Sequence, residues 1–312
     1  MRMLDGIRVL TVLVVVATLA VGGVLAAPAA GKAAPGDKTA KAETSAATAG
    51  SHGKAAEKEA GARAAAERKK IIEEAVTALA RVNLALRHLD RGKNDEALDD
   101  LAVAVGKLEL IVTRYPELSL APVDVRVITH DLRADVSEIR KAVDRAREAL
   151  DEGRVQEARR TLRDLGSEII VRVINIPLAT WPAAIKQVVP LIDDGKIDQA
   201  KEALQAALST LVVVDTVIPL PVVRAEAWLE RASELAKKEQ RTKDEERELA
   251  DYLEKARHQL ELAEALGYGA HEDYAKFYDT IGQIEKKTRG GGTETGLFDR
   301  LRRSIEEFKK KL

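Results

Sequence analysis

Five histidines and no cysteine bound the chemistry open to this chain. Without a thiol there is no thiolate nucleophile, no disulfide and no sulfur ligand for a metal. Two local groups hold metal-ligating residue types, His130-Asp131 with Asp135, and His271-Glu272-Asp273. Neither follows a spacing that converges on one ion, so each is expected to be the solvated start of a helix. His52, His88 and His258 stand apart from these groups. The adjacent carboxylates Glu73-Glu74, Asp99-Asp100 and Asp193-Asp194 point to different sides of a helix and do not read as a general acid and base facing one substrate. Gly290 to Gly292 lacks the preceding strand and the lysine of a phosphate loop, and no Gly-x-Ser-x-Gly elbow occurs. The expectation is therefore no catalytic residues, no cofactor and no metal, in a protein that is not an enzyme.

The elements that carry these residues are announced by a pattern that occurs three times, Leu/Ile-Asp-x-Gly-Lys/Arg-x-x-Glu/Gln-Ala-x-x-x-Leu. It runs through Leu89, Asp90, Gly92, Lys93, Glu96, Ala97 and Leu101, then Leu150, Asp151, Gly153, Arg154, Glu157, Ala158 and Leu162, then Ile192, Asp193, Gly195, Lys196, Gln199, Ala200 and Leu204. A glycine just beyond a helix end accepts the left-handed backbone that closes the helix. An alanine early in the next helix lets two backbones approach. Each copy is thus the turn of a helical hairpin. The aspartates are separated by 61 and 42 residues, whereas a tetratricopeptide array repeats every ~34. The fold class expected is mainly α, packed helical hairpins with tetratricopeptide-like turns that do not form a regular solenoid.

Hydrophobic residues make up 46% of the chain and aromatics only 3%, so the core must be aliphatic. Charged residues reach 32% with a formal net charge of −1, which argues against a nucleic-acid binder relying on bulk phosphate attraction and leaves open only a local basic patch. Arg2 and Arg8 precede an apolar run from Val9 to Val24 and the small residues Ala26, Ala27 and Ala29. This reads as a signal peptide over residues 1–27, with an uncleaved anchor as the alternative. Residues 28–56, rich in Ala, Gly and Lys, read as a disordered linker. The helical domain is expected over 57–289, a flexible glycine linker over 290–294 and a basic amphipathic helix over 295–312.

Within the domain, Ile71, Ile72, Ala75, Leu79, Val82, Leu86 and Leu89 follow helical spacing, and Asn94 is placed to cap the partner helix. Val123 to Thr129 and Ile169 to Ile176 carry β-branched residues and are expected to pair as a small two-stranded element. Leu211 to Ile218 is equally β-branched but also reads as the end of a buried helix continuing from Leu204. Thr242 and Glu245 have the spacing of a capping box. Trp181 and Trp228, each near a proline-led helix start, are expected to anchor the core. In the last helix Leu297, Leu301, Ile305 and Phe308 share one face, beside Arg302 and Arg303. This face is the expected interaction surface, free to meet a membrane, to pair with a neighbouring subunit or to cover its own core.

The runs Ile176 to Lys186, Leu191 to Lys196, Leu208 to Val213, Ile218 to Glu226 and Leu262 to Gly269 together resemble the YfdX family of exported bacterial proteins. The resemblance spans about residues 65–290 and rests on the order and spacing of these runs. It implies a mostly helical periplasmic or cell-envelope protein, linked to acid or antibiotic stress, oligomeric, chaperone-like, and with no catalytic residues to carry over. The expected partners are other proteins or the protein's own subunits, with membrane-surface contact through the last helix and no nucleic acid. A membrane-tethered helical module with a groove for a peptide or small ligand is the alternative. Protonation of helix-face carboxylates, which titrate near pH 4, is expected to loosen hairpin contacts in acid.

Overall fold

The computed structural model describes residues 55–312, so the stretch read as a signal peptide and nearly all of the stretch read as a linker lie outside the described residues. Helix α1 occupies residues 55–68, two positions of which fall within the stretch read as linker. Its Ala56, Ala60 and Ala64, one helical turn apart, are buried against Val125, Ile169 and Val171 of a sheet. The chain then leaves the helix. Ile72 is extended, and its N–H donates to the Pro122 carbonyl at 3.2 Å. The helical face read from Ile71 therefore begins only at Ala75, within α2 (Glu73–Asp90).

Next come α3 (Asn94–Arg114), β1 (Leu120–His130), α4 (Val136–Asp151), α5 (Val155–Arg163) and β2 (Glu168–Pro177). They are followed by α6 (Trp181–Lys186), α7 (Val188–Asp193), α8 (Ile197–Ser209) and β3 (Val212–Pro219). The described chain closes with α9 (Leu220–Ala236), α10 (Lys243–Ala265), α11 (His271–Thr288) and α12 (Gly296–Lys309). The fold is mainly α. The three pattern glycines, Gly92, Gly153 and Gly195, all turn with positive φ, at 71°, 74° and 73°. Asn94 is not the cap of α3. Lys93 holds the cap position, and Asn94 is the first helical residue.

The sheet is antiparallel in the order β1-β2-β3. Val127 pairs with Val171 as the alternation in these runs requires. The third run forms a strand instead of prolonging α8, so the element has three strands rather than two. Helix α8 stops at Thr210, where the Trp181 indole donates to the Ala207 carbonyl at 3.1 Å and to the Thr210 hydroxyl at 3.0 Å. The valines beyond are stiff at χ1 and suit the open edge of β2. Arg172 then grips Asp215 across the strands through two bonds of 2.8 and 2.7 Å. The helical stretch from Trp181 to Asp193 is split into α6 and α7 at Gln187. Pro190 has no N–H for the Lys186 carbonyl, and its ring crowds that oxygen.

Two large cores result. In the first, α2 and α3 pack with α6, α7 and α8, around Leu101, Leu108, Trp181 and Leu204. In the second, α9, α10, α11 and α12 enclose Leu253, Leu260, Tyr274, Ile281 and Ile305. The sheet, with α1 against it, carries a third cluster that also takes Val223 from α9. The hairpin α4–α5 closes on a small cluster of its own, Ala146, Ala149 and Ala158, while Ile139 and Ala142 of α4 are also buried.

Candidate interaction surface

Helix α12 forms where its pattern predicts and lies on the second core. Leu301, Ile305 and Phe308 are buried there together with Phe298, and Leu297 is partly buried. The ring of Phe308 packs edge-on to Tyr274 and Phe277, with centroids 5.3 and 5.6 Å apart. Of the uses open to this face, the structure takes the third, covering its own core. Arg302 and Arg303 remain exposed, Arg302 being 3.9 Å from Asp299. Lys309 instead points inward. Its ammonium lies 3.0 Å from Glu226, 3.1 Å from Glu59 and 3.6 Å from Glu306, tying α12 to α9 and α1.

The two polar groups singled out by residue type are engaged locally. Asp131 accepts two bonds of 2.9 Å from Arg224. Asp135 caps α4 in a capping box with Glu138. His271 meets Glu264 at 2.5 Å, and that carboxylate also accepts the Tyr278 hydroxyl at 2.7 Å. Burial alone would raise the Glu264 pKa, but the His271 and Tyr278 contacts outweigh it and hold it low, while Glu264 in turn raises that of His271. Among the described residues no three His, Asp or Glu side chains gather as a metal site.

Sequence reading missed two buried polar clusters. Asp100 is buried between α2 and α3, where one carboxylate oxygen accepts from Arg81 at 2.8 Å and the other lies 2.9 Å from Nδ1 of His88. The signal lay in its position, because Asp100 precedes Leu101 and shares the inner side of α3 with Ala97 and Ala104. Tyr268, in the turn after α10, donates to Glu168 at 2.7 Å and accepts the Ser167 N–H at 3.0 Å. That bond joins the second core to the start of β2 across a hundred residues of chain, a relation no local spacing encodes.

A cleft of about 650 Å³ opens between the first half of α10 and the end of α11. Leu249, Ala250 and Leu253 form its floor, and Lys243, Glu246, Arg247, Glu254, Arg257 and Glu285 its rim. Arg257 bonds Glu285 at 3.0 Å across the two helices. The arrangement offers apolar contact flanked by charges of both signs.

Hairpins carrying a small antiparallel sheet define the class, a mainly α protein built from repeated glycine turns. Residues 78–217, from within α2 to within β3, match the YfdX protein family model. The matched stretch holds the first core and the sheet. The resembling runs at Ile218 to Glu226 and Leu262 to Gly269 lie beyond it. A solved structure of Salmonella Typhi YfdX is 18% identical, covers 48% of this chain and 93% of its own, and has a TM-score of 0.34. No curated protein matches.

Proposed function

We propose that this chain is an exported envelope protein that works by holding other proteins, chaperone-like, under acid or antibiotic stress, and makes or breaks no covalent bond. The observation that carries the reading is the α10–α11 cleft. Its apolar floor suits the side chains that a partly unfolded protein exposes, and its mixed rim suits flanking charges of either sign. The YfdX match supports the stress and envelope parts through what that resemblance implies. Ala250 is exposed on the cleft floor, so Ala250→Trp fills the cleft without disturbing a buried contact. Aggregation of reduced insulin, followed by light scattering, is expected to be suppressed by the wild type and released by Ala250→Trp. Equal suppression by both proteins overturns the cleft's role, and no suppression by the wild type overturns the holding function. The alternative, a module for one peptide or small ligand, predicts a single saturable site lost in the same variant.

A further inference from the structure

The strand order β1-β2-β3 leaves two outer edges, and the chain treats them differently. The edge of β1 is guarded. Pro122 offers it no N–H, its carbonyl already accepts the Ile72 N–H at 3.2 Å, and the pairing slips between Pro122 and Asp124. Asp124, Arg126 and His130 add charge along the same strand. Each of these features stops a foreign strand from adding on. The other edge strand, β3, reads Val-Val-Val-Asp-Thr-Val-Ile-Pro. Its one charge, Asp215, is neutralised by the two bonds from Arg172. Its one proline, Pro219, stands at the far end, where α9 begins. Val213 is 51% exposed and Val214 45%, on opposite faces of the sheet.

The ladder itself tells which groups are open. Leu220 donates to the Ser167 carbonyl at 2.9 Å, just past the last pair of β2 and β3. Antiparallel bonding alternates, so Ile218, Thr216, Val214 and Val212 bond β2, while Val217, Asp215 and Val213 turn their N–H and C=O outward. Among the described residues no backbone group meets them there. We propose that this edge captures an extended, uncharged, β-branched segment of another polypeptide and pairs it as a fourth strand. A row of alternating donors and acceptors is matched by another extended backbone and not by a helix, whose groups are already bonded internally. The valines on both faces call for β-branched partners on both faces. Charge points the same way. Arg172 already answers Asp215, so the open stretch has no net charge for a charged guest to meet. The chain's own residues 28–54 contain no valine, isoleucine or leucine and do not fit. The inference deepens the holding function proposed above and rests on it only for the source of the segment.

Fluorescence anisotropy of a labelled peptide of four Thr-Val repeats, titrated with the purified protein, tests this. Saturable binding is expected. The same peptide N-methylated throughout keeps its side chains but loses its N–H donors, and is expected to bind more weakly by about tenfold or more. Val213→Pro removes one outward donor and no bond to β2, so it is expected to weaken binding about tenfold with melting unchanged. Val214→Lys leaves the backbone intact, sets a charge beside the guest and is expected to weaken binding as well. Val213→Thr, which keeps both the N–H and the branch, is expected to bind as the wild type does. A peptide that does not bind, that binds equally when N-methylated, or that binds Val213→Pro and Val214→Lys as tightly as the wild type overturns the proposal. Self-association of the peptide-free protein that Val213→Pro abolishes puts a copy of this chain on the edge and overturns the choice of occupant. Peptide binding without suppression of insulin aggregation leaves the edge standing and overturns the holding function alone. Suppression without peptide binding does the reverse.

Discussion

Glu226 carries a pH dependence opposite in sign to the one its abundant carboxylate neighbours suggest. It is mostly buried on α9 and shares the Lys309 ammonium with Glu59 and Glu306. Burial raises its pKa to about 7, more than its share of Lys309 gives back. Burial would likewise lower the Lys309 pKa, yet the carboxylates around it outweigh that and keep it charged. One cation among three carboxylates satisfies itself before it satisfies the most buried of them, which reconciles the two directions. In the unfolded chain Glu226 titrates at its ordinary 4.5, so between 4.5 and about 7 the folded state holds a proton that the unfolded state has lost. Stability from this group is complete below 4.5 and is lost as pH rises through about 7. The loss amounts to about 3 kcal/mol for such a shift. Glu226→Gln is expected to raise stability above pH 7 and leave it unchanged below pH 4.5. Denaturant titrations at both ends read this, and an unaltered pH slope refutes it. A capping carboxylate nearer the surface acts oppositely. Glu245, hydrogen-bonded to Lys238, is held down to about 2, so acid loosening of helix ends begins only as pH falls below 4.5 toward that value.

Among elements, α12 has the most testable seat. Phe308 is buried between Tyr274 and Phe277, and Gly269 turns beneath it with φ +98°, where any Cβ would collide with the ring. Phe308→Ala is expected to cost about 3–5 kcal/mol. Lifting of α12 should expose the Gly290–Gly292 segment to protease, and cleavage no faster than in the wild type contradicts the seat. The face of α12 was legible as an i, i+4 stripe, because burial follows periodicity. What it would face was not legible, since the stripe is the same whether its partner is α11 or a lipid. The glycine turns were legible for a local reason, the left-handed backbone at Gly92, Gly153 and Gly195. The Leu211 to Ile218 run was not, because β-branched residues fit a buried helix or a strand edge, and the free edge of β2 decided between them. Of the cleft, sequence showed the charged faces but not that the start of α10 and the end of α11 leave an opening there.

At the scale of the molecule, each large core owns one tryptophan. Trp181 lies in the first and Trp228 in the second, where it stacks on Tyr252 with centroids 5.4 Å apart. Ile281 is fully buried in the second core. Ile281→Ala is expected to destabilise that core by about 2–5 kcal/mol. The shift should appear in the fluorescence transition of Trp228, read in a Trp181→Phe background. In a Trp228→Phe background the Trp181 transition should move by less than half as much. Equal shifts would show a single cooperative unit. The strands of the sheet are consecutive, yet residues 131–167 and 178–211 intervene between neighbours, all bundled into helical hairpins. A hairpin of helices assembles from nearby chain, and once zipped it leaves its two exits side by side. His130 and Glu168, opposite each other in the finished ladder, are the exits of one such clasp. The sheet is therefore expected to take its alignment from hairpins that form first, and pulse-labelled hydrogen exchange should protect α4 and α5 before β1 and β2.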